Sequence, residues 1–328
     1  MNRISKPDLV ACLDQMAQKG GLIAPREVDG VLLYRPVQQA VEIIWEYIRP
    51  VLSIKEFFFA PSEHMLRIEK NGNEVRITEI LPQEKQVIFG VRPCDARGLL
   101  ALDALFLEAE PRDAYYARRR ENTTLIGLAC EYPGPTCFCN RMGGALDDPQ
   151  GMDVMLTLQD EEYVVQALTA KGQTLLKSWG ITAEVEPAPE RQAQARIPAL
   201  EAWPNQFNDA FWQQFSERCL SCRACSYVCP TCRCFDVRDE VVFNEEGSQV
   251  YERIRAWDAC TGEPYRRVAG GHNPRPEKGM RLRNRFYCKF YYYPQQYGPV
   301  ACTGCGRCIE SCPVNVDITE VLDYMAGR

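Results

Sequence analysis

The residues with the plainest capacity for chemistry are eight cysteines in two short runs. The first reads Cys219-Leu-Ser-Cys222-Arg-Ala-Cys225-Ser-Tyr-Val-Cys229-Pro230, and the second Cys302-Thr-Gly-Cys305-Gly-Arg-Cys308-Ile-Glu-Ser-Cys312-Pro313. Both follow the spacing C-x2-C-x2-C-x3-C-P. Three thiolates at two-residue gaps can wrap one face of an iron–sulfur cubane, while the fourth, a helical turn later, reaches the neighbouring cluster. This crossed pattern assigns one 4Fe-4S cluster to Cys219, Cys222, Cys225 and Cys312, and a second to Cys302, Cys305, Cys308 and Cys229. Zinc also takes four thiolates, but usually from two C-x2-C pairs serving one ion, so the repeated run with its proline favours iron. Gly304 and Gly306 suit a backbone that turns N–H groups toward the sulfurs, contacts that help set a cluster's reduction potential.

A further constellation lies in the first half of the chain: Arg92-Pro-Cys94-Asp-Ala, then Cys130, then Cys137-Phe-Cys139. Four cysteines is the count another cluster needs, and the Gly134-Pro-Thr-Cys137 turn could fold back over Cys94 and Cys130. A C-x-C pair with remote partners is less specific, so a third cluster, a zinc site and unliganded thiols all remain open readings. Arg92 and Arg97 beside Cys94 would favour a thiolate or suit an anionic cluster. Cys232 and Cys234 are surplus to both C-terminal sets, and packing is the simplest role for them, with redox thiols or ligation elsewhere as alternatives. Cys12, Cys260 and Cys288 stand alone and are read as ordinary buried thiols.

The elements that must hold these residues follow from periodicity. Leu9, Leu13 and Met16 predict one amphipathic helix; Val41, Ile44, Trp45 and Ile48 predict a second, ended by Pro50. Gly30 to Tyr34, Lys55 to Phe59, Met65 to Ile68 and Val75 to Ile80 read as strands, the last two joined by an Asn71-Gly72 hairpin turn. Val87 to Val91 and Thr124 to Ala129 are apolar runs of buried-strand type, with a helix over Ala96 to Phe106 between them. They place Cys94 and Cys130 at strand ends, where α/β folds carry their chemistry. A Pro-, Ala-, Glu- and Gln-rich stretch over 181–206 predicts a linker. The expected architecture is therefore α+β: an N-terminal α/β domain over 1–180, and a second domain over 207–328 that carries the two cysteine runs.

Composition narrows the function. Of 328 residues, 44 are acidic and 38 basic, for a net charge of -6, which opposes a general nucleic-acid or anionic-membrane role. No apolar run reaches the roughly 20 residues that span a bilayer, and the N-terminus lacks the pattern of a secretory signal. A cytoplasmic location is expected. There, 17 cysteines speak for metal or redox chemistry rather than disulfides. One local exception to the acidic balance is 251–290, with ten basic and four acidic residues and Phe286, Tyr287, Phe290, Tyr291, Tyr292 and Tyr293 close by. That composition would suit base stacking; a subunit interface and the neighbourhood of anionic clusters have the same composition, and no nucleic-acid partner is expected. There is no Gly-x-Gly-x-x-Gly fingerprint or Walker loop, so no flavin is expected on this chain. With His64 and His272 as its histidines, the chain is not expected to run a histidine-based acid–base mechanism, and Gly270-Gly271-His272-Asn273 is read as a turn.

Taken together, Phe89-Gly-Val-Arg-Pro-Cys94-Asp-Ala-Arg97, Gly127-Leu-Ala-Cys130, Cys137-Phe-Cys139, Cys229-Pro-Thr-Cys232, Trp257-Asp, Ala269-Gly-Gly-His-Asn-Pro274 and Gly304-Cys-Gly-Arg-Cys308 give a resemblance over most of the chain. It resembles the iron–sulfur beta subunit of cytoplasmic NiFe hydrogenases, or sulfhydrogenases, and the related iron–sulfur subunit of anaerobic sulfite reductase. The resemblance implies an electron-transfer subunit that relays electrons from a diaphorase-type partner, which binds flavin and NAD(P), to the small and large NiFe hydrogenase subunits or to a sulfite reductase subunit, or in the reverse direction. It implies an α-helical ferredoxin fold for the second domain, with about 236–300 inserted between the cluster motifs. It also favours a third cluster at Cys94, Cys130, Cys137 and Cys139, since the Pro-Cys-Asp string is similar to the Pro-Cys-Gln cluster motif of deazaflavin-reducing beta subunits. The competing function is a self-contained sulfur-reducing enzyme working at Cys94 or at Cys232 and Cys234; otherwise no residue of this chain is expected to be catalytic.

Overall fold

The structure, a computed structural model, describes residues 2–189, 195–245 and 248–327. Among these, the strands in chain order are β1 (Asn2–Ser5), β2 (Leu22–Val28), β3 (Val31–Pro36), β4 (Ser62–Asn71), β5 (Glu74–Glu79), β6 (Gln86–Val91), β7 (Thr123–Leu128), β8 (Val154–Gln159), β9 (Glu162–Ala167), β10 (Phe235–Glu245) and β11 (Ser248–Trp257). They form a seven-stranded sheet, in the order β1-β9-β8-β7-β6-β2-β3, and a four-stranded one, in the order β10-β11-β4-β5.

The larger sheet is parallel through β2, β6, β7 and β8 and antiparallel at its edges. Its central strands are covered on both faces, which is why they read as continuous apolar runs. Successive side chains of a strand point to opposite faces. Phe89 and Ile126 accordingly pack with Leu9 and Leu13 of the helix Lys6–Lys19, while Ile88 and Leu125 pack with Leu99 and Leu102 of the helix Pro93–Phe106. That second helix starts directly after β6, with Pro93 in its first turn, where a missing N–H costs nothing. Cys94 therefore sits at the carboxyl end of β6, and Cys130 stands just past the end of β7.

Two local expectations fail. The segment with helical spacing at Val41, Ile44, Trp45 and Ile48 makes only a 3-10 turn over Ala40–Glu42; the Ile44 N–H then donates to the Pro25 carbonyl at 2.8 Å, and Val41 is 83% exposed. Pairing with the neighbouring strand outcompetes the helix. Lys55 to Phe59 is not a strand but a 3-10 turn over Ile54–Phe57, capped by Ser53, with Lys55, Phe58 and Phe59 all buried.

The four-stranded sheet joins distant parts of the chain. β4 and β5 are the Asn71-Gly72 hairpin, and β11 adds to β4 through pairs such as Tyr251 with Ile68. The stretch between the cysteine runs is thus tied to the first half of the chain, since a two-stranded ribbon is marginal alone and gains by pairing with a second. Arg255 locks the joint by donating from Nε to Glu63 at 2.7 Å and from Nη1 to Asp113. The last part of the chain forms short helices around a core of Trp203, Trp212, Phe215, Leu282, Phe286, Tyr287, Phe290 and Leu322. Part of the stretch expected as a linker is packed here: Trp203 is fully buried and stacks on Phe290 with ring centroids 5.6 Å apart. Residues 190–194 of that stretch lie outside the described residues. Arg255, Arg281, Arg285, Phe286, Tyr287 and Phe290 are all buried, so much of the Arg- and Tyr-rich stretch is spent inside the fold rather than offered as a stacking surface.

Candidate metal centre

The two cysteine runs share a backbone form. Ser221 and Arg223 have φ of 55° and 69°, and the residues at the matching positions of the second run, Gly304 and Gly306, have φ of 69° and 77°. Left-handed residues between the cysteines curl the chain so that successive thiols face one side. The first run tolerates side chains there; the second does not. A Cβ on Gly304 would come within 2.6 Å of the Phe138 backbone, and one on Gly306 within 2.2 Å of the Thr136 carbonyl oxygen. Glycine is required by the Thr136–Cys139 loop that lies across the second run, with the Phe138 N–H donating to the Gly304 carbonyl at 2.8 Å.

That contact brings the first-half cysteines to the C-terminal ones. The thiols line three voids. Cys219, Cys222, Cys225, Cys308 and Cys312 border one; Cys229, Cys302, Cys305 and Cys308 border a second; Cys94, Cys130, Cys137, Cys139 and Cys305 border a third. Every cysteine singled out in the sequence as a ligand faces the void of its own set. The sets also touch in order, because Cys308 faces the first and second voids and Cys305 the second and third. Among the described residues, no three His, Cys, Asp or Glu side chains converge as they would on a single ion. The thiols stand around volumes instead.

The surroundings fit an anionic thiolate-bound group. The Ser221 N–H donates to the Cys219 sulfur at 3.4 Å and the Val316 N–H to the Cys312 sulfur at 3.2 Å. Lys289, 3% exposed, places its ammonium 3.2 Å from the Cys229 sulfur, with the Thr231 hydroxyl and Ala301 carbonyl each at 3.0 Å. Arg285, 2% exposed, donates to the Cys225 carbonyl at 2.8 Å and the Cys232 sulfur at 3.1 Å. Among the described residues neither cation makes a salt bridge to a carboxylate. Burying an uncompensated charge is costly, and the Cys229 thiolate, which both cations favour, is the counter-ion. Burial alone would lower the Lys289 ammonium, and the Cys229 and Cys232 sulfurs outweigh it and raise it. Cys229 is held well below the usual thiol range, first by a hydrogen bond from Cys232 and then by these cations.

At the third set, Arg49 donates to the Cys137 sulfur at 3.4 Å. Arg92 and Arg97 make their hydrogen bonds to backbone carbonyls rather than to the Cys94 sulfur, but their charges bear on the third set, Arg92 on Cys94 and Cys130 and Arg97 on Cys139. Arg92 is taken up by the Ile48, Leu128 and Ala129 carbonyls, and Arg97 by the Met142 carbonyl. Burial, with Asp95 beside it, leaves the Cys94 thiol pushed up. Arg49 went unnoticed in the sequence because it lies nearly ninety positions from its thiol, a separation no local motif records. The Gly270 to Asn273 segment is a turn, closed by the Val268 N–H on the His272 carbonyl at 2.9 Å. Cys12 packs beside the Lys6–Lys19 helix core.

Residues 218–316 match the family model of a 4Fe-4S dicluster domain. Along nearly its whole length the chain also aligns with the sulfhydrogenase 2 subunit beta of Pyrococcus furiosus, 33% identical over 331 residues, covering 94% of this chain and 93% of that one. The chain belongs to the sulfhydrogenase beta-subunit family. The dicluster match encloses the first two cysteine sets of this chain, whereas the third set lies outside it. No solved structure matches the chain. Among the described residues no helix is long and apolar enough to cross a membrane.

Proposed function

We propose that this chain is the electron-conducting subunit of a sulfhydrogenase-type complex. Cys219, Cys222, Cys225 and Cys312 hold one 4Fe-4S cluster, Cys302, Cys305, Cys308 and Cys229 a second, and Cys94, Cys130, Cys137 and Cys139 a third. The observation that carries this reading is the sequence of voids, each joined to the next by a shared cysteine. A bound 4Fe-4S cluster supplies one-electron uptake and release. The chain's part is to fix the thiolates, to set buried cations against them, and to keep water from the middle set, whose Cys229 and Cys305 are buried. Both ends of the row reach the surface, at Cys222 and Leu220 on one side and at Tyr132 on the other. A conduit needs an entry and an exit, which the two exposed ends supply. The full-length likeness to a beta subunit supports a place between partner subunits: a flavin- and NAD(P)-binding one, and NiFe catalytic ones.

The test is iron and acid-labile sulfide per chain on anaerobically purified protein, with EPR of the reduced form. About twelve irons are expected, and about eight would remove the third cluster. Zinc in place of iron would overturn the whole reading. In the reconstituted complex, electron flow between the flavin and NiFe subunits should stop when this chain is omitted.

A further inference from the structure

Among the described residues four threonines are buried, Thr123, Thr231, Thr261 and Thr303, and their hydroxyls divide by place. The Thr123 hydroxyl donates to the Arg119 carbonyl at 2.7 Å and the Thr231 hydroxyl to the Ala301 carbonyl at 2.6 Å, as buried hydroxyls ordinarily do. Thr261 and Thr303, each 4% exposed, have hydroxyl oxygens shut off from water and without a hydrogen-bond partner among the described residues. These two line the voids: Thr261 that of the first cysteine set, Thr303 that of the second. The satisfied pair lines neither. A buried hydroxyl left unpaired costs its desolvation, and the acceptor that both lack belongs where the thiolates stand.

The two reach their voids by different routes. Thr303 is placed by the second run itself, between Cys302 and the left-handed Gly304. Thr261 comes from outside the runs, in the turn that follows β11, where the Gly262 N–H donates to the Ala259 carbonyl at 2.8 Å. Arg223 of the first run holds that turn: it pairs with Asp258 at 3.4 Å and packs its guanidinium against Gly262. The stretch between the cysteine runs thus delivers to the first set a hydroxyl that the first run does not contain.

We propose that the Thr261 and Thr303 hydroxyls donate hydrogen bonds to cluster sulfur in the first and second sets, and that each raises the reduction potential of its own set. This rests on the conduit reading and deepens it, by naming what sets the relative potentials of two neighbouring stations. An added electron puts more negative charge on the sulfurs, so a donor to sulfur stabilises the reduced state more than the oxidised one. Each threonine lines one of the two voids and not the other, so the two effects are separable.

Valine keeps the shape of threonine and removes the donor; serine keeps the donor and removes the methyl. EPR-monitored redox titration is run on the anaerobic full chain, with the signal of each set identified by its loss in Cys219→Ala and Cys302→Ala. At the parent's midpoint, Thr261→Val should lower the reduced-to-oxidised ratio of the first set by about tenfold, a downward shift of about 59 mV for one electron, and leave the second set unmoved. Thr303→Val should do the reverse, and Thr261→Ser and Thr303→Ser should hold the parent's potentials. A shift common to all sets would overturn the proposal, as would one that serine reproduces. Where valine strips the iron of its own set, retention in the serine variant upholds the hydroxyl, and loss in both overturns it as a matter of packing. A parent chain without iron would take down the conduit reading and this one with it, whereas full iron with unmoved potentials overturns this one alone.

Discussion

Arg307 lays both terminal nitrogens of its guanidinium on the two carboxylate oxygens of Asp95, at 2.6 and 2.8 Å, with both side chains buried. Asp95 follows Cys94 of the third set and Arg307 precedes Cys308 of the second, so one bidentate pair welds two cysteine sets drawn from opposite ends of the chain. Removing one partner strands a buried charge, which costs roughly 3–5 kcal/mol. Asp95→Ala should lose that much in denaturant unfolding, and Asp95→Leu with Arg307→Met should recover most of it. Equal losses in the single and double variants would show that the pair is not the joint.

In the proposed crossed ligation, Cys229 and Cys312 take the same role toward opposite sets. Cys229→Ser and Cys312→Ser should each lower iron by about four per chain. Full iron content in both would rule out the crossing.

The two runs differ in what their left-handed positions will accept. Gly306→Ala must push a Cβ against the Thr136 carbonyl oxygen, and should cost about 1–3 kcal/mol and strip iron from the third set first. Arg223→Gly relieves the same backbone conformation in the first run, where Arg223 adds a partly exposed ion pair with Asp258 at 3.4 Å and packing against Gly262. It should leave stability within about 1 kcal/mol of the parent, by thermal unfolding.

Lys289 sets a buried positive charge against the Cys229 sulfur. Positive charge favours the more reduced, more negative state of whatever the thiolate holds. Lys289→Met should therefore lower the reduction potential of the middle set and leave the other two nearly unmoved, as read by EPR-monitored titration. A uniform shift of all three signals would mean a general structural change instead.

Lys55 lies 3.7 Å over the Trp257 ring with its ammonium 3.1 Å from the Cys232 carbonyl. Burial lowers it from 10.5 to about 8. The folded chain gives up this proton before the unfolded chain does, so between those two pH values the folded state gains stability as pH rises. Below pH 8 the full cost of burying the cation is present. The stability difference between the parent and Lys55→Met should climb by about 3 kcal/mol across that window, followed by denaturant unfolding at successive pH values. A flat difference would show that Lys55 keeps its charge.

What the sequence determined by itself is what local pattern encodes. The cysteine spacing names the iron chemistry because three thiols and a helical turn are short-range geometry. The apolar runs of β6 and β7 place Cys94 and Cys130 at strand ends, and Asn71-Gly72 sets the β4–β5 hairpin, again within a few residues. The spacing at Val41 to Ile48 misled, because periodicity cannot foresee that Ile44 will bond to Pro25. Tertiary structure decided everything that depends on distant partners. The row of three voids, the grip of Arg307 on Asp95 and the seating of Lys289 on Cys229 join residues whose separation in the chain leaves no periodic trace. Each arises because hairpins and loops bury their polar and apolar faces against segments far away, and the free energy of that burial is a property of the assembled fold.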